Sequence, residues 1–211
     1  MDRFTLAAPG TNEIIIKKSR FITSMARVQS GSEAEAFVAS IRAENKKANH
    51  NVWAARIDWP VAIERASDDG EPSGTAGSPT LRGLTSHDLS NVVAVTTRYF
   101  GGIKLGASGL IRAYSDSITA AIVKLGIVQL VNQNELLATC EYNQYQLIEN
   151  RLRDANIPVA NSDFTTAVRL HIFVDSDAEI IARKIITECT NGTAKFKLGE
   201  ARTAEIPVAA K

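Results

Sequence analysis

The segment from Asn91 to Phe100, nearly continuous in Val, Ala and Thr, runs directly into a glycine cluster that opens onto a helical repeat of apolar residues. A strand without polar alternation must be covered on both faces, so this segment sets an α/β centre for the first half of the chain. Ile111, Tyr114, Ile118, Ile122 and Leu125 follow at helical spacing, which places the glycines at a strand-to-helix junction. A second cluster, SDDGEPSGTAGSP, lies from Ser67 to Pro79. Gly70, Gly74, Gly77, Gly101, Gly102, Gly106 and Gly109 make up more than half of the chain's 13 glycines. Such crowding marks positive φ, or a backbone that must come close to something.

Around this centre, Ile14 to Val28 reads as extended, possible as a hairpin, and carries Lys17, Lys18 and Arg20. Ser32 and Glu35 form a capping box for a helix with Ala34, Phe37, Val38 and Ile41 on one face. His50 to Asp58 is a strand broken by Trp59-Pro60. In the second half, Glu135 to Tyr142 is strand-like, and Asn143 with Gln146 caps a helix through Arg153 with Leu147, Ile148 and Leu152 inside. A strand pair follows: Val159 to Thr166, then an alternating run from Val168 to Val174. Ser176 and Glu179 cap a second helix with Ile181, Ile185 and Cys189 on one stripe, and a last strand covers Ala194 to Leu198. The order is βαββαβ, a ferredoxin-like sandwich. The expected fold class is therefore α+β, built of α/β two-layer sandwiches, with domains at 1–131 and 135–211 separated by a polar break at Val131-Asn132-Gln133-Asn134.

Chain length suits two small domains, and the net charge of +1 does not by itself call for a nucleic-acid partner. No run approaches the roughly 20 apolar residues of a membrane span, and the start has no apolar signal-peptide core, so the expectation is a soluble, cytoplasmic protein without a membrane partner. Cys140 and Cys189 are far apart and expected as buried thiols, with neither a disulfide framework nor a zinc site.

Free N–H groups at the junction helix favour anions. Gly101 to Ser108 reads GGIKLGAS, one residue from the P-loop pattern, with Ala107 where the phosphate-reaching lysine belongs and Lys104 at a different spacing. A packing turn and an anion site are both open on this segment alone. Arg98, Lys104 and Arg112 flank the loop and favour the anion site, formed with Gly101, Gly102, Gly106 and Ser108. Asp68, Asp69 and Glu71 could ligate a metal or act as a base, but no His, Cys or second carboxylate cluster lies near them in sequence. An ordinary turn is the preferred reading, with Ser73-Gly74-Thr75 starting a helix and the acids pairing with Arg98 or Arg112 to hold the two loops together. His50 reads as a core or edge histidine, His87 and His171 as surface residues, and Trp53 and Trp59 as packing groups.

SDDGEPSGTAGSP followed by VTTRYFGGIKLGASGLIRAYSDSI, with KKSRFI at Lys17 to Ile22 and the strand from His50 to Ala54, resembles the signature of the IMPACT family, most closely its bacterial YigZ-type members. The resemblance covers most of the first 125 residues. It implies an N-terminal domain similar to the second domain of a small-subunit ribosomal protein. It also implies a C-terminal domain similar to the fifth domain of elongation factor G. Ser108 departs from the glycine common in relatives, which adds a hydroxyl at the start of the helix.

The resemblance implies translation-associated regulation. In eukaryotic members the shared N-terminal half restrains a stress kinase by competing for its activator, a partner not transferred to this chain. The expectation is a non-enzymatic regulator with no catalytic residues, metal or cofactor. It binds RNA or the ribosome, or a protein of the translation machinery, through Arg98, Lys104 and Arg112 with Lys17, Lys18, Arg20 and His50. Two alternatives remain: a small-molecule or nucleotide phosphotransferase or hydrolase using the glycine loop, and a protein-interaction module.

Overall fold

The computed structural model describes residues 3–208. They fall into two compact units, one holding the chain up to Leu130 together with the residues from Ile206, the other Val131–Glu205. No described helix is long and apolar enough to cross a membrane.

In the first unit, β1 (Arg3–Leu6) precedes a hairpin of β2 (Gly10–Ile16) and β3 (Ser19–Arg27). Then come α1 (Gly31–Glu44), β4 (His50–Ile57), β5 (Ile63–Ser67), α2 (Gly77–Ser86), β6 (Val92–Tyr99) and α3 (Gly106–Leu125). The sheet order is β2-β3-β6-β4-β5, antiparallel at every step. β6 lies at its centre, as its unbroken apolar composition requires, with every residue from Val92 to Arg98 buried. Alternate side chains separate two cores. Val93 and Val95 pack with Ala55 and Ile57 against Ala34, Val38 and Ile41 of α1. Ala94 and Ala54 face the opposite way, toward Leu84 of α2 and Ile118, Ala121 and Ile122 of α3. The α+β class holds, and α1 gives this unit a third layer beyond a two-layer sandwich.

The second unit is built from β7 (Ile127–Cys140), α4 (Tyr142–Asp154), β8 (Asn161–Phe164), β9 (Val168–Val174), α5 (Ser176–Cys189) and β10 (Lys195–Val208). Its sheet order, β10-β7-β9-β8, is that of a ferredoxin-like βαββαβ sandwich. Leu136, Ala138, Leu170 and Ile172 meet Ile148, Leu152, Ala182 and Ile186 in a single core.

Several local expectations shift. The two units divide between Leu130 and Val131, at the expected polar segment, but Val131-Asn132-Gln133-Asn134 is strand rather than loop: it lies within β7, which pairs with β10, and Arg202 donates to Gln133 Oε1 at 3.1 Å and Thr203 to Asn132 Oδ1 at 3.4 Å. The α1 cap is Ser30, whose hydroxyl accepts from Glu33 N at 3.2 Å. The α5 cap is Asp175, accepting from Ala178 N at 2.8 Å, and at α4 Glu141 N donates to Gln144 Oε1 at 3.1 Å. In each case an extended residue just upstream of the expected cap takes the role. The α5 stripe runs through Ala182 and Ile186 and leaves Ile181 exposed, and on α4 Leu147 is also exposed. The helix expected after Ser73-Gly74-Thr75 is α2, which starts at Gly77; β1 and β5 have no counterpart among the expected elements. Cys140 is buried and Cys189 half-buried. His87 and His171 are half-buried, not surface residues: His87 Nδ1 lies 2.8 Å from the Gly83 carbonyl, and His171 sits between two carboxylates.

Candidate anion-binding site

The acidic turn folds inward. Asp68 Oδ1 accepts from Ala76 N at 3.0 Å and Gly77 N at 2.8 Å, and its Oδ2 accepts from Gly74 N at 2.8 Å. The carboxylate thus fills the anion site at the start of α2, work expected of the hydroxyls of Ser73 and Thr75. Thr75 instead donates to the Pro72 carbonyl at 2.6 Å. Partial burial pushes the Asp68 carboxyl up, but the three backbone donors outweigh it and hold the group below the ordinary carboxylate range. Gly77 is required at this point because a Cβ would sit 2.8 Å from the Ser67 carbonyl carbon. Asp69 takes the left-handed conformation, φ 47°, so that its carboxylate can accept from Asn51 N at 2.6 Å and pair with Arg42. Its carbonyl accepts from His50 Nδ1 at 2.9 Å.

Glu71 goes deepest. At 7% exposure its Oε1 accepts from Arg98 at 2.6 Å and from the Tyr114 hydroxyl at 2.8 Å, which ties the turn to both β6 and α3. Burial, reinforced by the Glu71 charge, drives the Tyr114 hydroxyl far above its ordinary pKa and keeps it a donor. Arg98 is 6% exposed and lies between two aromatic rings, with Phe21 at 5.4 Å and Phe100 at 5.7 Å. Its Nε is buried without a hydrogen-bond partner.

The glycine loop follows from β6 and is held from two sides. Phe100 N donates to Asn49 Oδ1 at 2.8 Å, and Gly101 N donates to Ser19 Oγ at 3.1 Å. Gly101 packs directly on the β2–β3 turn, where a Cβ would lie 2.0 Å from the Lys18 carbonyl carbon. That turn consists of Lys17 and Lys18, both at positive φ, 44° and 66°. Close packing onto glycine therefore brings an exposed lysine pair to the edge of the loop. The loop ends at α3, whose first turn has no side-chain cap. Its backbone N–H groups are left to solvent or a ligand.

A cavity of about 400 Å³ opens here. Arg98, Lys104 and His50 line it together with Glu71, the start of α3 at Gly106, and an apolar wall that includes Phe100 and Leu110. Of the residues expected at a site, Arg98, Lys104, His50 and Gly106 meet in this cavity. Lys17, Lys18, Gly101 and Gly102 belong to the adjoining turn and loop, and Ser108 is exposed on the first turn of α3. Arg112 does not line the cavity and is exposed on α3. Arg20 points elsewhere, in a bidentate pair with Glu13 at 2.7 and 3.0 Å and 5.5 Å from the Tyr99 ring. His50 is half-buried, with Nε2 3.9 Å from Glu71 Oε2. Asn49 and Tyr114 escape sequence reasoning: periodicity marks Tyr114 as apolar helix stripe, and nothing local signals that its hydroxyl meets Glu71. Among the described residues, no group of three or more His, Cys, Asp or Glu is placed to hold a metal ion.

Residues 17–122 match the Impact N-terminal domain, and residues 139–193 match a domain of unknown function, DUF1949. The chain is 39% identical to IMPACT family member YvyE of Bacillus subtilis over 93% of this chain and 91% of that one. It is 39% identical to IMPACT family member YigZ of Escherichia coli over 79% and 82% of the two chains. A solved crystal structure of a hypothetical protein, 34% identical, superposes with a TM-score of 0.58 over 94% of this chain and 98% of that one.

Proposed function

The chain belongs to the IMPACT family, and on that premise we propose that it is a translation-associated regulator that binds RNA or the ribosome, without catalysing a reaction, through the cavity at the start of α3 and the lysine turn beside it. The observation that carries this reading is the division of charge. Each acid of the turn is already engaged: Asp68 by backbone N–H groups, Asp69 by Arg42 and Asn51, Glu71 by Arg98 and Tyr114. Lys104, Lys17 and Lys18 are exposed and have no carboxylate partner among the described residues, and the α3 N–H groups add partial positive charge. A surface with its acids turned inward and its cations outward suits phosphate contacts. The three acids of the turn are all committed to structural partners and so are poorly placed to activate a nucleophile, which weighs against the phosphotransfer alternative that relied on them.

In this reading Asp68, Asp69 and Glu71 organise the loops, and Arg98 sets the floor of the cavity. Lys104, the lysine turn and the α3 terminus make the contacts. Backbone phosphates then dominate affinity, which falls steeply with salt. Co-sedimentation of the purified protein with ribosomes, and anisotropy with a labelled single-stranded RNA at low salt, test the reading. Binding abolished by raised salt is expected, and absence of binding to both at low salt overturns it.

A further inference from the structure

A second cationic groove lies on the open face of the sheet in the other unit, formed by residues with no part in the site above. It has a volume of about 250 Å³ and is lined by Leu137 and Thr139 of β7, Arg169 of β9, and Lys195, Phe196 and Lys197 of β10. Because Leu136, Ala138 and Cys140 point into the core, Leu137 and Thr139 face outward, and Thr139 stands opposite Arg169 in the β7–β9 register. Arg169, Lys195 and Lys197 are exposed, and none has an ion-pair partner among the described residues.

The nearby acids are held away from them. Asp163 is the register neighbour of Arg169 across β8–β9, but its carboxylate is bound to His171 Nε2 at 2.9 Å. Glu135, further along β7, is bound to His171 Nδ1 at 2.6 Å. One histidine thus engages both of these carboxylates, and no acid lines the groove.

The layout of charge selects the ligand. Lys195 and Lys197, two residues apart on one strand, place their stems about 7 Å apart along the strand, and Arg169 lies two strand spacings away across β7, about 10 Å. A chain of phosphates crossing the sheet gives each cation its own phosphate with its stem extended, whereas a single phosphate would draw three like charges together at one point. Leu137 offers an apolar floor and the Thr139 hydroxyl a further hydrogen-bonding group. A cationic groove of this kind tracks a nucleic-acid backbone. We infer that the β9–β7–β10 face is a second binding site, for the sugar–phosphate backbone of single-stranded RNA, held by Arg169, Lys195 and Lys197.

The test is fluorescence anisotropy of the full chain with a labelled 12-nucleotide oligouridylate across a salt series, comparing wild type, the triple variant Arg169→Ala/Lys195→Ala/Lys197→Ala, and Lys104→Gln. The inference expects the triple variant to lose at least about tenfold in affinity at low salt. Its log–log salt slope should flatten by about two, near 0.7 for each lost phosphate contact. The same loss should appear when the triple variant is combined with Lys104→Gln, which separates this groove from the N-terminal site. Wild-type affinity and slope in the triple variant overturn the inference, even if Lys104→Gln weakens binding. Tighter binding of polyglutamate than of RNA at the groove also overturns it, since that points to an acidic protein. Should the triple variant not fold, photocrosslinking of a 4-thiouridine oligomer to wild type decides: adducts within 137–139, 169 or 195–197 support the site, and adducts confined to other residues overturn it.

Discussion

Arg98 and Glu71, 27 positions apart in sequence, meet at 2.6 Å inside the first unit, with both side chains almost wholly removed from solvent. This pair links the acidic turn before α2 to the strand that leads into the glycine loop, and Tyr114 extends the link to α3. Taking two charges out of water is costly, and their mutual attraction repays it only with good geometry and further hydrogen bonds. The Tyr114 hydroxyl and the two flanking rings supply part of that environment.

Removing one partner strands the other. Glu71→Ala leaves the Arg98 guanidinium buried without its counter-charge and is expected to cost about 3–5 kcal/mol, read by urea unfolding. Tyr114→Phe removes one charge-assisted hydrogen bond and should cost about 1.5–3 kcal/mol. Equal small losses from both variants would mean that the pair is not an organising element.

Asp68 gives a pH-dependent counterpart. Its folded pKa is depressed, so its contribution is complete above the ordinary carboxylate range and is lost as pH falls through the depressed value. Asp68→Asn replaces one acceptor oxygen with an NH2 facing backbone N–H groups and should destabilise by about 1–3 kcal/mol at neutral pH. The two melting temperatures should converge as the wild-type carboxylate protonates. A difference independent of pH would contradict this account.

The second unit shows the opposite sign. Hydrogen bonds donated to Glu135 and then to Asp163 raise the His171 pKa above its ordinary 6.5, and accepting from His171 lowers that of Glu135. The stabilisation from protonated His171 is therefore fully present below pH 6.5 and is lost as pH rises through the elevated value. NMR titration of the His171 imidazole in the intact protein should show a midpoint above 6.5 that falls in Glu135→Gln. A midpoint at or below 6.5 in wild type would rule the arrangement out.

The lysine turn pairs stability against binding. Lys17 and Lys18 occupy left-handed conformations that Asn-Gly adopts with less strain. Lys17→Asn/Lys18→Gly should raise stability by about 1–2 kcal/mol in thermal or urea unfolding. The same variant should weaken RNA binding and flatten its salt dependence. Strain kept at a functional position accounts for both effects, and unchanged RNA affinity would remove the functional part of that explanation.

How much of this was legible in the sequence depended on whether the deciding interaction was local. The central strand announced itself because nothing but double-sided burial explains Asn91 to Phe100, and the βαββαβ order followed from alternation and caps. Helix starts were misplaced because Ser30 and Ser32, or Asp175 and Ser176, are equally able to cap, and only the tertiary backbone selects which is extended. Ile180-Ile181-Ala182 presents apolar residues all round, so periodicity could not show that Ala182 faces the core. Val131 to Asn134 marks the boundary between the units but reads as a polar break, because the partner that makes those polar residues strand, β10, lies about 70 positions away. At the site, the cations were visible by type, but which of them were already paired was not. Arg20 is taken by Glu13 and Arg98 by Glu71, which leaves Lys104, Lys17 and Lys18 at the site, with Arg112 exposed on α3 but not lining the cavity.

The central claim, that Lys104 and the start of α3 contact nucleic-acid phosphates, is tested most directly by the salt dependence of RNA binding in wild type and Lys104→Gln at matched stability. The account predicts weaker binding at low salt and a log–log slope shallower by about 0.7, the signature of one lost phosphate contact on a single strand. Identical affinity and slope for the two proteins would contradict it.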